Sequence, residues 1–224
     1  MDLQALALTI RLAVVTTAVL LSIAIPLAAW IVFTRSRLRA LVEAITTLPL
    51  LLPPTVLGFY LLVLLGRKTV FGRGWIALTG HPLAFSFSGL VVGSVIYSLP
   101  FAVQPLVAGF SGVDPVLLDQ ARLLGTSRLR LLTRVLLPLS TRSVVTAGVL
   151  CFMHTVGEFG VVLMIGGNIP GATRTLSILI YDQVQDFAYG QANRTALLLV
   201  IISLAALVLL YSQRRDLLNE VRRA

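Results

Sequence analysis

The sequence predicts an all-α integral membrane protein, and three observations support this fold class. Hydrophobic residues make up 57% of the 224-residue chain and charged residues only 12%, whereas soluble domains are about one-quarter charged. The apolar residues form five long runs, each about long enough to cross a hydrocarbon layer of about 30 Å. The runs are too continuous for alternating barrel strands, and a helix satisfies its own backbone hydrogen bonds in lipid.

The five predicted spans belong to one transmembrane domain that covers residues 1–224. Their approximate bounds are 12–33, 48–65, 85–110, 144–165 and 196–211. Gly89 and Gly93 are four residues apart in the third span, which predicts that another helix approaches closely there. Prolines are expected to break or kink the second span, because each removes a backbone donor; they are Pro49, Pro53 and Pro54. Such breaks occur along transport pathways and also as harmless kinks.

The distribution of basic residues predicts the orientation. The loops after spans one, three and five hold twelve of the 18 Arg and Lys residues, and the opposite side holds six. Since cytoplasmic loops carry the excess of positive charge, we expect a periplasmic N-terminus and a cytoplasmic C-terminus. The net charge of +9 lies in short gaps between apolar runs, which argues against a nucleic-acid-binding face.

Few residues are suited to catalysis or to metal binding. The single cysteine, Cys151, excludes a disulfide framework or thiolate cluster within one chain. The sequence has no G-x-x-x-x-G-K-[ST] phosphate loop. We therefore expect no catalytic site, no metal and no cofactor bound by this chain.

The most informative segment lies between the third and fourth spans, at residues 114–138, and is called the peg below. Asp114 is a good N-cap, with Pro115 at the first helical position, and Gly125 suits the residue just past a helix end. These signals predict a helix of about ten residues, about 15 Å long. Ser127 can cap a second helix that carries arginines toward Pro138. The peg is thus predicted to be L-shaped and cytoplasmic.

A spaced pattern runs through the peg: an acid-x-Ala step, a glycine, and an aliphatic-x-Leu-Pro ending. Its members are Asp119, Gln120, Ala121, Gly125, Val135, Leu137 and Pro138. The pattern resembles the EAA signature of permease subunits of bacterial ABC importers, with Asp for Glu and Gln for the first Ala. The resemblance implies a type I importer permease fold and a peg that docks on a separate ATPase. The residues alone also permit an amphipathic helix whose arginines meet anionic lipid.

Within that family the chain resembles the molybdate permeases over nearly its whole length. Three stretches carry the resemblance: residues 48–66, the peg, and residues 157–175 with the sequence GEFGVVLMIGGNIPGATRT. Sulfate permeases are similar in the last stretch, and residues 171–175 favour molybdate. Tungstate is not separated from molybdate. The resemblance implies an ATP-driven importer in the bacterial inner membrane, built from two permease copies, two cytoplasmic ATPase subunits and a periplasmic oxyanion-binding protein.

Candidate pathway or gate residues lie within the fourth predicted span and in the loop that follows it. A dianion is best handled by neutral donors and helix N-termini, so an outer-mouth group is proposed: Asn168, Thr173, Arg174 and Thr175. The alternative is a loop that only caps the span and contacts the binding protein. A carboxylate in a span is costly unless paired, protonated or wet, so we expect Glu158 to hydrogen-bond between helices. His154 is either its partner or a packed histidine.

The sequence also permits two hypotheses from other functional classes. A passive channel or membrane scaffold would require the peg pattern to be coincidental. An intramembrane enzyme would require a nucleophile with its base or another catalytic group beside Glu158, and the sequence offers none.

Overall fold

Helices dominate the computed structural model, which describes residues 2–221, with side chains up to residue 212 except at 209. No strand occurs among these residues. The predicted domain also includes Met1 and residues 222–224, which lie outside the described residues. So do Arg222 and Arg223, two of the arginines that supported a cytoplasmic C-terminus.

Twelve α-helices follow one another in the described part of the chain, and one π-helical segment, Leu132–Leu136, interrupts the peg. The α-helices are α1 (Leu3–Phe33), α2 (Arg39–Leu51), α3 (Pro54–Leu64), α4 (Val70–Thr79), α5 (Phe87–Ser111), α6 (Pro115–Leu123), α7 (Arg128–Leu131), α8 (Leu137–Leu139), α9 (Thr141–Gly157), α10 (Gly160–Gly166), α11 (Leu176–Gln185) and α12 (Tyr189–Val221).

Helices α1, α5 and α9 pack against one another and form the main core. The buried side of α1 is rich in small residues, including Ala13, Ala24 and Ala28, which lets helices approach closely in a membrane. Asp2 caps α1 by accepting hydrogen bonds from the amides of Gln4 and Ala5, at 3.0 and 3.1 Å. The helix therefore begins well before the predicted start at residue 12.

Two of the five predicted spans are each divided into two helices, and the break in the second span was expected from its prolines. The run 48–65 covers the last turn of α2 and the whole of α3, and these two helices are bent by 113° at residues 52–53. Pro53 and Pro54 have no amide hydrogen, and Leu52, directly before a proline, is extended with ψ 138°. The run 144–165 contains α9 and α10, separated where Glu158 adopts an extended conformation with ψ 133°.

Three helices of the described chain are individually long and apolar enough to cross a membrane: Leu3–Phe33, Phe87–Ser111 and Tyr189–Ser212. Up to five crossings result if each of two bent pairs counts as one span; the pairs are Arg39–Leu51 with Pro54–Leu64, and Arg128–Leu139 with Thr141–Gly157. Helices α4 and α11 were not predicted, because ten-residue segments with polar faces fall below the length of a span.

Glycines allow α10 to pack closely against α5 and α3. A Cβ at Gly93 of α5 would lie 2.6 Å from Ile165 Cδ1, and one at Gly58 of α3 would lie 2.8 Å from Met164 Cβ. The predicted close approach at Gly93 is confirmed, and the partner is the short helix α10. The two broken spans are thus held together at their breaks.

Candidate coupling surface and translocation cavity

The first arm of the peg is the nine-residue helix α6. Asp114 Oδ1 accepts a hydrogen bond from the Val116 amide at 2.8 Å, and Pro115 occupies the first helical position. After the helix, Gly125 has φ +74°, in the left-handed region. The predicted caps and turn of this helix are therefore confirmed, because each residue type suits its backbone position.

The second arm runs from Arg128 to Leu139 and meets α9 at an angle of 81°. Ser127 Oγ accepts from the Arg130 amide at 3.5 Å, as expected for a cap. The sequence did not predict the π-helical segment at Leu132–Leu136. Pro138 lies two residues after the end of this segment. Since a proline cannot donate to the carbonyl four residues back, a wider turn is accommodated there.

The peg has one side packed on the core and one side exposed. Leu118 and Leu136 are buried and contact the main core beside Phe110. Leu123 and Leu124 are 87% and 86% exposed at the tip, although they are large and apolar. The peg is therefore anchored at its base and presents an apolar tip.

The EAA-like residues divide between these two sides. Asp119, Gln120, Gly125 and Pro138 are exposed, whereas Ala121, Val135 and Leu137 are partly buried. Asp119 and Arg122 form an ion pair at 2.8 Å on the surface. The pattern thus combines surface positions with positions that pack inward.

A cavity of about 510 Å³ lies where the two helix breaks meet. Residues from the start of α3, from α5 and from both sides of the break between α9 and α10 line it; among them are Pro54, Thr55, Tyr97, His154, Glu158 and Gly160. Broken helices that face a cavity are a recurrent feature of membrane transport sites.

Glu158 is 4% exposed at this break. Neither of its carboxylate oxygens has a hydrogen-bond partner among the described residues, and the same is true of Ser94 Oγ. Ser94 of α5 is nevertheless the side chain that interacts with the carboxylate as a hydrogen-bonding group, so the bond between helices stays a prediction, with Ser94 as its candidate partner. Because the backbone leaves the helical conformation at Glu158, its carbonyl oxygen is available to a side chain. Ser177 Oγ donates a hydrogen bond to this oxygen at 2.5 Å.

His154 is a packed histidine and not the partner of Glu158. Its Nδ1 lies 2.9 Å from Ser98 Oγ, and its ring stacks on Phe101 with centroids 4.1 Å apart. Tyr97 contacts the same ring at 4.8 Å. The imidazole therefore joins α9 to α5.

Three of the four residues predicted at the outer mouth form two internal networks. Asn168 donates to both oxygens of Asp182, at 2.9 and 3.0 Å, and accepts from Arg174 Nε at 2.7 Å. Thr173 is fully buried, donating to the Gly166 carbonyl at 2.7 Å and accepting from the Ile169 amide at 2.9 Å. These bonds make the loop rigid, which agrees with the capping alternative.

Thr175, the fourth residue, is also buried, with its Oγ1 3.1 Å from Ser177 Oγ. Sequence reasoning missed Asp182, the carboxylate that organises Asn168 and Arg174, and it also missed the cavity residues Thr55 and Tyr97. The sequence did contain a signal for Asp182, because this carboxylate lies only eight residues after Arg174 and could have been predicted to pair with it. No local signal distinguished Thr55 or Tyr97 from ordinary span residues.

Residues 9–220 match the family model described as "Binding-protein-dependent transport system inner membrane component". The chain belongs to this family. It is 48% identical to the molybdenum transport system permease protein ModB of Azotobacter vinelandii over 96% of this chain and 95% of that one. It is 35% identical to ModB of Escherichia coli K12 over 78% of this chain and 76% of that one.

The fold also resembles a solved ABC importer. The inward-facing MetNI methionine ABC transporter aligns with a TM-score of 0.74 at 17% identity, covering 96% of this chain and 95% of that one. The predicted fold class, a type I ABC importer permease, is confirmed. The chain is a permease subunit of an ABC importer, a multi-pass inner-membrane protein of a non-catalytic subunit family.

The junction of the two breaks provides a test of the packing. A Cβ at Gly160 would lie 2.7 Å from the rigid Pro54 Cβ, whereas one at Gly157 would meet no atom within 4 Å. We expect Gly160→Ala to lower the free energy of unfolding by about 1 to 3 kcal/mol through overpacking. Gly157→Ala, the matched control, should be neutral or slightly stabilising. Thermal unfolding of the purified variants measures both, and equal melting temperatures would contradict the packing.

Proposed function

We propose that two copies of this chain form the pathway of an ATP-driven importer for molybdate. The substrate is proposed from the 48% sequence identity to a molybdenum transport permease over 96% of the chain. The resemblance in residues 157–175 supports the same substrate. In this proposal a periplasmic binding protein supplies the oxyanion, and the permease has no reaction of its own.

The proposed ATPase contact is the exposed tip and surface of the peg. Two adjacent leucines, Leu123 and Leu124, are almost fully exposed there, and apolar anchors of this kind suit a pocket on a partner protein. Leu118 and Leu136 bury the base of the peg in the core of α1, α5 and α9. A force on the tip would therefore reach the spans through packed side chains.

The proposed pathway passes the cavity between the two broken spans. The Glu158 carboxylate oxygens are covered there, so a passing anion would contact its neighbours rather than the carboxylate. This arrangement suits a dianion, because neutral groups such as the Thr55 hydroxyl attract it without trapping it. The importer's two ATPase subunits would use ATP to open this cavity alternately to the periplasm and to the cytoplasm.

The substrate assignment is tested by uptake. We expect proteoliposomes with the permease, its ATPase and its binding protein to accumulate molybdate only with ATP, with tungstate competing and phosphate not competing. The ATPase alone with empty liposomes is the control. Uptake that strongly favours sulfate would reject molybdate, and accumulation that follows the gradient without ATP would favour a channel.

The orientation is tested by cysteine labelling in a Cys151→Ser background. Gln120 on the peg and Gln185 at the end of α11 are both exposed, so single cysteines there are accessible to a reagent. We expect Gln120→Cys to react only from the cytoplasm and Gln185→Cys only from the periplasm. The reverse pattern would overturn the proposed topology.

Coupling is tested at Gly125. Its φ of +74° disfavours a residue with a Cβ by about 1 kcal/mol, and a β-branched residue by more. No atom lies within 4 Å of that Cβ, so Gly125→Val should change the direction of the peg without disturbing the core. We expect normal insertion and dimerisation, but weak ATPase association or fewer molybdate ions imported per ATP.

The control for this variant is Gly74→Ala in α4, where an added Cβ also meets no atom within 4 Å and φ is not positive. It should leave ATPase association and uptake per ATP unchanged. Normal coupling in Gly125→Val would reject the docking role of the peg.

A further inference from the structure

A groove of about 850 Å³ lies between the C-terminal end of α1 and the peg. Its apolar lining comes from both elements: Pro26, Ala29, Trp30 and Phe33 on α1, and Leu129 and Leu132 on the second arm. Trp30 and Phe33 are 40% and 38% exposed, and aromatic side chains at the end of a span are typical of the membrane interface.

The polar lining of the groove is strongly basic. Arg35 follows the end of α1, while Arg122 and Arg128 lie on either side of the Gly125 turn. Arg122 is paired with Asp119 at 2.8 Å. The side chains of Arg35 and Arg128 make no hydrogen bond or ion pair with any described residue. Two uncompensated positive charges therefore adjoin the apolar lining.

The order of these groups along α1 matches the order of groups in a phospholipid. From Pro26 to Arg35 the lining changes from apolar through aromatic to cationic. The helical part of this stretch, from Pro26 to Phe33, spans about 10 Å at about 1.5 Å per residue. A phosphate is a strong ligand for arginine, since the guanidinium donates two parallel hydrogen bonds to it. A free tetrahedral oxyanion would meet the arginines but would leave the apolar lining uncovered.

We propose that this groove binds one anionic phospholipid of the cytoplasmic leaflet, with its phosphate at Arg35 and Arg128 and an acyl chain along Trp30 and Phe33. The side of the membrane rests on the proposed function, which places the peg in the cytoplasm. Charge complementarity favours the lipid over an apolar protein segment. The second copy and the ATPase are the other possible occupants, and the experiment below separates them.

A bound lipid would hold the peg relative to α1. Leu129 and Leu132 belong to the second arm, and Arg122 lies in the last turn of the first arm. The groove therefore contacts both arms around the Gly125 turn. Filling it would restrict the angle between the peg and the core. The lipid would thereby raise the fraction of ATP hydrolysis that is linked to transport.

The test compares two double variants that remove the same charge. Arg35→Gln with Arg128→Gln removes the unpaired arginines of the groove. Arg37→Gln with Arg130→Gln removes exposed arginines two residues further along that do not line it. The purified permease with its ATPase is freed of lipid, titrated with phosphatidylglycerol or phosphatidylcholine of equal acyl chains, and examined by native mass spectrometry.

We expect the wild-type complex to retain phosphatidylglycerol in preference to phosphatidylcholine. The groove variant should bind phosphatidylglycerol about thirtyfold more weakly, because each arginine near a membrane surface contributes about 1 kcal/mol, and the control variant should bind as wild type. Equal loss in both variants would show diffuse attraction only and would overturn the site. Displacement of the lipid by millimolar inorganic phosphate would show a simple anion site and would also overturn it.

Two further outcomes concern the other occupants and the consequence for coupling. Loss of the ATPase or of the second copy in the groove variant, with lipid binding unchanged, would assign the groove to that protein contact. For the wild type and the control variant, uptake per ATP should be higher in liposomes that contain phosphatidylglycerol than in liposomes of phosphatidylcholine alone. The groove variant should show no such difference. If the wild type also shows none, the regulatory role is rejected. Lipid binding is measured without substrate or nucleotide, so its failure is distinct from failure of molybdate uptake.

Discussion

The need to satisfy backbone hydrogen bonds in lipid governs this structure. A continuous helix meets that need, and α1 and α5 do so over 31 and 25 residues. The two breaks do not meet it alone. At the break between α9 and α10, the Glu158 carbonyl receives a hydrogen bond from Ser177, and α10 packs on α3 through Gly58 and Gly160. The breaks are possible because they lie against each other.

The same constraint explains why the cavity lies at this junction. Where a helix breaks, its terminal backbone groups and the nearby side chains no longer pack against a continuous helix. The space between the two breaks is therefore lined by atoms from three separate segments. Transport sites in membranes use this arrangement repeatedly. In this permease, the breaks near Pro53 and Glu158 create the cavity, and the rigid core of α1, α5 and α9 supports it.

The peg links this interior to the membrane surface. Its base is a part of the core, since Leu118 and Leu136 are packed with Phe110, while its tip is exposed. At the Gly125 turn between its arms, an added Cβ would meet no atom within 4 Å. The direction of the peg therefore depends on the backbone conformation of this turn and on what occupies the groove beside α1. Motion of an ATPase, and lipid at the arginines, would therefore act on the same element.

The fold class, the peg and its caps follow from the amino-acid sequence alone. Apolar runs report helices in lipid directly, and Asp114, Gly125 and Ser127 act on their own backbone, so local residue type is sufficient. It also located the prolines that break the second span.

The contacts of the polar residues, in contrast, depend on how the helices pack together. Glu158, His154 and Asn168 have partners, or lack them, according to helices that are distant in sequence: His154 meets Ser98 of α5, and Asn168 meets Asp182 of α11. The groove likewise combines Arg35 with Arg128. Such pairings depend on how whole helices pack, because the residue pattern of one segment contains no information about which side chains of a distant segment will lie next to it.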